Sequence, residues 1–143
     1  MMQDDKWPDQ PGLPSRLIRA IRGAVQCRND SLDIAAQVTT LYDELLSRNN
    51  LAEADIVSLI FSVTPDIDAL NPAAALRKAG RAGELALFVV QEAVFQGGLE
   101  RTIRALIHGY MDEKALVRHI YRNGAEVLRP DRISPAESGK AVR

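Results

Sequence analysis

Arginine is the residue type that first suggests chemistry here, since only Lys6, Lys78, Lys114 and Lys140 are lysines among 18 basic residues. A guanidinium is a planar fork that grips a carboxylate or phosphate through two parallel hydrogen bonds, so this bias permits a site for a small anion without establishing one. Arg22 interrupts the run Leu-Ile-Arg-Ala-Ile-Arg-Gly-Ala-Val at residues 17–25. In such company an arginine either reaches out at a strand end or is held inside by an anion. Other reactive types offer less. Cys27 is the single cysteine, which excludes an intrachain disulfide and a cysteine-rich metal site and reads as a small buried hydrophobe. His108 and His119 belong to no cluster with metal-ligand spacing and read as packed or hydrogen-bonded structural residues. Gly97-Gly98 is a turn; with no Lys-Ser/Thr after it, a phosphate loop is excluded.

The elements that must position these residues fit one domain, because 143 residues are enough for a single core and too few for two. The composition, 46% apolar and 26% charged, is that of a globular protein, and no stretch approaches the roughly 20 apolar residues of a membrane helix. The formal charge of −1 removes the basic field that nonspecific nucleic-acid binding needs. Residues 1–15, with Pro8, Pro11, Gly12 and Pro14 among acids and amides, read as a disordered leader without the apolar core of a secretory signal. A soluble, cytoplasmic protein is therefore expected, with a folded domain over 16–132 and a mobile tail over 133–143.

Within the domain, residues 17–25 read as a buried strand whose alternation places Ile18, Ala20, Arg22 and Ala24 on one face. Asn29-Asp30-Ser31 supplies capping chemistry for a helix carrying Ile34, Val38, Leu41, Leu45 and Leu46, closed by Asn49-Asn50. Residues 55–63 return to a strand pattern ended by Thr64-Pro65-Asp66, and Pro72 opens a short alanine-rich helix over 72–78. Strands are expected at 85–90 and 118–121. Residues 101–110 accept a helix through Ile103, Leu106, Ile107 and Tyr110, or a strand through Ile103, Ala105, Ile107 and Gly109.

Five segments in order resemble the AroH-class chorismate mutases. They are Ile21-Arg22-Gly23-Ala24; Ser62-Val63-Thr64-Pro65-Asp66; Asn71-Pro72-Ala73-Ala74-Ala75-Leu76-Arg77; Val90-Gln91-Glu92 with Gly97-Gly98-Leu99 and Ile103-Arg104; and Arg118-His119-Ile120-Tyr121 with Leu128-Arg129-Pro130-Asp131. Their order and near-full coverage, from 17 to 132, carry the resemblance. It implies an α+β fold, a mixed sheet of about five strands on one long helix, assembled as a trimeric pseudo-α/β-barrel with active sites between subunits. On that pattern residues 101–110 are a strand.

The resemblance also implies an activity, the pericyclic isomerisation of chorismate to prephenate in aromatic amino acid biosynthesis. No metal or cofactor is expected. A reaction in which an ether bond breaks while a C–C bond forms calls for a shaped cavity and fixed positive charge, not a base or nucleophile. By the resemblance, Arg104 contacts a carboxylate and the developing ether oxyanion, Arg22 grips a carboxylate, Glu92 accepts from the ring hydroxyl and Tyr121 donates to a carboxylate. Phe88 and Val89 line the pocket and offer a main-chain group. Ala73 is a substrate-binding position, Arg77 belongs to the cleft rim as a contribution from the neighbouring subunit, and Arg129 lies near a C-terminal lid. Three positions depart from the pattern: Asn71 for phenylalanine, Ala74 for a lysine and Val89 for a small polar residue. Two rival readings follow, a catalytically weakened homologue acting as a carboxylate-binding or regulatory protein, and a trimeric imine deaminase of similar architecture.

Overall fold

The computed structural model describes residues 15–128. Nearly all of the expected leader, the tail over 133–143 and Arg129 lie outside them. Five strands form one mixed sheet: β1 (Arg16–Gln26), β2 (Ile56–Val63), β3 (Leu87–Gln91), β4 (Thr102–Asp112) and β5 (Ile120–Arg122). Their spatial order is β3-β2-β4-β1-β5. β4 runs antiparallel to both β1 and β2, whereas β3 and β5 pair in parallel with β2 and β1. Residues 102–110 thus fall in a strand, the central one, as the resemblance implied, and Arg101 just before it has φ 47°. The α+β class and the five-strand sheet hold. The helical layer comprises two helices, α1 (Ser31–Ser47) and α2 (Pro72–Lys78).

Local chemistry accounts for the helix ends. The Asp30 carboxylate accepts from the Asp33 N–H at 3.1 Å, and Asp33 in turn accepts from the Arg28 N–H at 2.7 Å, so two donors at the α1 entrance are satisfied reciprocally. The Arg28 N–H, which favours the ionised form, holds the Asp33 carboxyl below its ordinary range. Asn50 takes φ 50° just beyond α1, a conformation that asparagine tolerates. At α2, Asn71 is the cap: its Oδ1 accepts from the N–H groups of Ala73 and Ala74 at 2.8 and 3.3 Å. That gives a local reason for an asparagine at this departure from the family pattern.

One face of the sheet carries the core. Ile21, Val25, Leu59, Phe61, Ile103 and Ile107 project from it into one cluster with Ile34, Val38, Leu41 and Leu45 of α1 and Leu76 of α2, all of them buried. Each such side chain contributes about 1.5–3 kcal/mol of burial. Gly23 belongs to this face for a steric reason: a Cβ there would stand 3.0 Å from the Ile120 carbonyl oxygen and 3.1 Å from Leu41 and Leu45 methyls. Cys27 lies in the same cluster, where burial first and Asp33 second push its thiol up to about 11. The opposite face has no helix over it among the described residues. Strand alternation turns Ile18, Arg22, Ile60, Ser62, Phe88, Val90, Arg104, Leu106, Tyr110 and Tyr121 toward that side.

Candidate active site

The predicted site residues meet on the uncovered face because of register. Ser62 of β2 stands opposite Arg104 of β4, Arg104 opposite Ala24 of β1, and Ala24 opposite Tyr121 of β5. The small Ala24 side chain leaves space between Arg104 and Tyr121, and Arg22, two residues back, adds a second guanidinium on the same side. Arg22, Ile60, Ser62, Arg104, Leu106 and Tyr121 line a cleft of about 260 Å³. A second cleft of about 330 Å³, walled by Thr64, Asp66, Glu92, Phe95 and Leu99, shares Arg104 with the first.

Arg104 and Glu92 join the two clefts. Arg104 Nε lies 2.9 Å from Glu92 Oε1, and Ser62 Oγ donates to that same oxygen at 3.0 Å. One carboxylate oxygen therefore takes both contacts; among the described residues no hydrogen bond occupies Oε2, which can accept from a ligand as the terminal guanidinium nitrogens can donate to one. Glu92 is set in place by its own N–H, which donates to the Val63 carbonyl at 2.8 Å just past the end of β3. The start of β4 is fixed by the Thr64-Pro65-Asp66 segment. The Thr102 N–H donates to Thr64 Oγ1 at 2.9 Å, the Thr64 hydroxyl donates to Asp66 at 2.5 Å, and the Arg101 N–H reaches both Asp66 oxygens at 3.0 Å. Arg104 leaves the sheet two residues beyond this clamp. Preorganised charge of this kind stabilises negative charge that develops during a reaction, because no reorientation is required when it appears.

Tyr121 sits on a strand of three residues, and side chains flank it on both ends. Asn49 donates to the Arg118 carbonyl at 2.9 Å and accepts from the Arg118 N–H at 2.7 Å. His119 Nδ1 accepts from the Arg22 main-chain N–H at 2.9 Å. Arg122 pairs with Glu44 of α1, and Asn123 donates to the Gln26 carbonyl at 2.6 Å.

The structure thus brings together Arg22, Glu92, Arg104 and Tyr121, with Phe88 exposed on the same face opposite Ile60. It does not bring in the remainder. The Val89 side chain packs against the core, so only its main chain, on an edge strand, is offered to the outside. Ala73 is buried and Arg77 exposed on α2, in the helical layer and away from this cleft. Ser62 and His119 are the contacts that sequence reasoning did not assign. Ser62 stood within a recognised motif, but its partner lies 30 residues away. Among the described residues no group of three His, Cys, Asp or Glu side chains is placed to hold a metal ion. No helix among them is long and apolar enough to cross a membrane. The larger cleft of about 530 Å³, between Arg48, Asn49 and Asn50 after α1 and the 111–118 segment, contains none of the predicted residues.

Comparison with known proteins identifies the family and the fold. The family model for chorismate mutase type I matches residues 18–132. The chain is 32% identical over 117 residues to chorismate mutase AroH of Bacillus subtilis (strain 168), covering 80% of this chain and 92% of that one. It is 33% identical over 118 residues to chorismate mutase AroH of Thermus thermophilus, covering 80% and 96%. A solved chorismate mutase from Clostridium thermocellum superposes with a TM-score of 0.70 at 39% identity, over 76% of this chain and 98% of that chain.

Proposed function

The chain belongs to the chorismate mutase type I family, and from that premise we propose that it isomerises chorismate to prephenate by holding the substrate in a reactive chair against fixed positive charge. The observation that carries the proposal is the Ser62–Glu92–Arg104 network opening onto the cleft shared by Arg22 and Tyr121. Arg104 stabilises the charge that gathers on the ether oxygen as the C–O bond breaks, and Arg22 and Tyr121 hold substrate carboxylates. Glu92 accepts from the ring hydroxyl through the oxygen left over by its bonds to Arg104 and Ser62. No proton changes hands in the rearrangement. Catalysis rests on orientation and electrostatics.

The working unit in this proposal is a homotrimer in the cytoplasm, its catalytic domain spanning 16–132. Exposure of Ile18, Phe88, Val90 and Tyr110 on the uncovered sheet face supports association, since such a face is covered by a second layer or another subunit. It also gives a place to Arg77, exposed on α2, which would reach a neighbouring subunit's cleft instead of its own.

The test is to follow loss of chorismate absorbance with purified protein, and then acid conversion of the product to phenylpyruvate. Turnover that resists EDTA and stays nearly flat across roughly pH 6 to 9 is expected, because no group must gain or lose a proton. Light scattering should report a trimer. Chorismate binding without product would favour the carboxylate-binding reading, and a monomer at assay concentration would remove the intersubunit cleft.

A further inference from the structure

β5 pairs with β1 at only three positions, Gly23↔Ile120, Ala24↔Tyr121 and Val25↔Arg122. A strand so short does not hold its own place, so its position depends on the side chains around it. Asn49, Arg122 and Asn123 tie the segment to α1, to Glu44 and to the end of β1. His119 differs from these three. Its Nδ1 accepts the main-chain N–H of Arg22 at 2.9 Å, one residue before the strand ladder begins, and Arg22 itself lines the cleft. The ring thereby joins the backbone that carries one cleft residue to the strand that carries another, with Tyr121 only two residues further on. Gly23 lies between them with no room to yield, its Cβ position 3.0 Å from the Ile120 carbonyl oxygen.

We propose that His119 is a positioning residue for the active site, fixing the separation of Arg22 and Tyr121 so that both address the same ligand. The proposal rests on the chorismate mutase reading given above. An imidazole nitrogen accepts a hydrogen bond only through an unprotonated lone pair, so Nδ1 carries no proton in this arrangement. An asparagine in its place puts Oδ1 where Nδ1 stands and preserves the acceptor. A glutamine carries its polar end at the position of Nε2 and does not. Substrate held by two groups of altered spacing binds less well before it reacts more slowly, so the defect belongs chiefly to KM.

The experiment combines saturation kinetics on His119→Ala, His119→Asn and His119→Gln with a double-mutant cycle against Arg22→Ala, and with hydrogen exchange at the Arg22 amide. His119→Ala and His119→Gln are expected to raise KM about tenfold with kcat within about threefold, while His119→Asn stays within about threefold of the parent in both. In the Arg22→Ala background the His119→Ala effect on KM should shrink to within about twofold, because the residue acts through Arg22. The Arg22 amide should exchange fast in the Ala and Gln variants and slowly in the parent and the Asn variant. Should His119→Ala fail to fold, the contrast of Asn with Gln decides. Equal defects in Asn and Gln, an undiminished effect without the Arg22 side chain, or a protected Arg22 amide in the Gln variant would each overturn the proposal. Hydrogen exchange needs no turnover, so it tests the contact even if the parent protein leaves chorismate unchanged, a result that would sink the functional reading alone.

Discussion

On β1, Ile21, Gly23 and Val25 turn toward α1 and are buried, while Arg22 between them lies exposed on the other side. β4 repeats the contrast: Ile103, Ala105 and Ile107 are buried, Arg104 is exposed and Leu106 is half-buried. The covered face consists of apolar side chains fitted to two helices, and its specificity is that of shape and volume. The uncovered face holds an ion pair, a serine, a tyrosine and a second arginine, together with apolar side chains that no part of the described chain covers. A period of two lets one strand serve both purposes. A substitution on one face should therefore spare the property that the other face provides.

That separation is put to its hardest test by two substitutions on neighbouring strands. Phe61→Ala empties a fully buried position on the covered face and should cost about 3–5 kcal/mol of stability. What remains folded should keep its kcat. Arg104→Ala should behave in the opposite way, lowering kcat on the order of 100- to 1000-fold, roughly 3–4 kcal/mol, with little change in the thermal midpoint. Arg104→Lys keeps the charge but loses the fork, so its defect should be smaller and still large. Arg22→Ala should raise KM more than it lowers kcat, because it holds carboxylate charge already present in the substrate. Denaturant unfolding and saturation kinetics on the same preparations check all four. A variant Arg104→Ala within about threefold of the parent would remove Arg104 from the chemistry.

Gly23 sharpens the comparison because it faces the helices while its neighbours face the cleft. A methyl group there meets a β5 carbonyl and two α1 leucines at once. Gly23→Ala is expected to cost about 1–3 kcal/mol, the range for overpacking a filled core. If β5 moves instead of α1, Tyr121 moves with it, and KM rises as well. A loss of stability with unchanged KM would show that α1 absorbs the strain.

The parts of this molecule that could be read from the sequence are those fixed by near neighbours. The helix Pro72–Lys78 has the expected bounds because a proline in the first turn and Gly80 with φ 82° beyond the end are local signals. The first strand and the long helix came within a few residues of their observed spans for the same reason, alternation in one and a capped apolar stripe in the other. β4 was ambiguous because Leu106 and Tyr110 on the uncovered face interleave with Ile103 and Ile107 on the covered one, which blurs a period of two into something a helix also satisfies. Only the resemblance resolved it. β5 was expected at 118–121 and lies at Ile120–Arg122, since its place is set by partners distant in the chain. The Ser62–Glu92 and His119–Arg22 contacts, 30 and 97 residues apart, follow from strand register and could not be read from spacing. Register also turns the Val89 side chain toward the core, which leaves its main chain as the group that the resemblance assigned to the pocket.

The smallest expected effect concerns pH and involves two groups of the covered side, Cys27 and Tyr42. Burial raises the Cys27 thiol from 9.0 to about 11. The Tyr42 hydroxyl is raised as well, by burial first and then by its 2.5 Å hydrogen bond to Glu53. In the unfolded chain both groups ionise near their ordinary values, while the folded chain keeps their protons. Between those values the folded state binds more protons, so stability is level below about pH 8 and falls as the pH rises through 9 toward 11. A thermal midpoint lower by a few degrees at about pH 10 than at about pH 8 is the expected reading. Cys27→Ala should flatten part of that slope and Tyr42→Phe another part, whatever either change does to the midpoint at neutral pH. Arg104→Ala should leave the slope alone, because Arg104 is not among the groups that shift Cys27 or Tyr42. An equal slope in the parent and in both core variants would mean that the alkaline loss arises elsewhere, and that the covered face is less dry than its packing indicates.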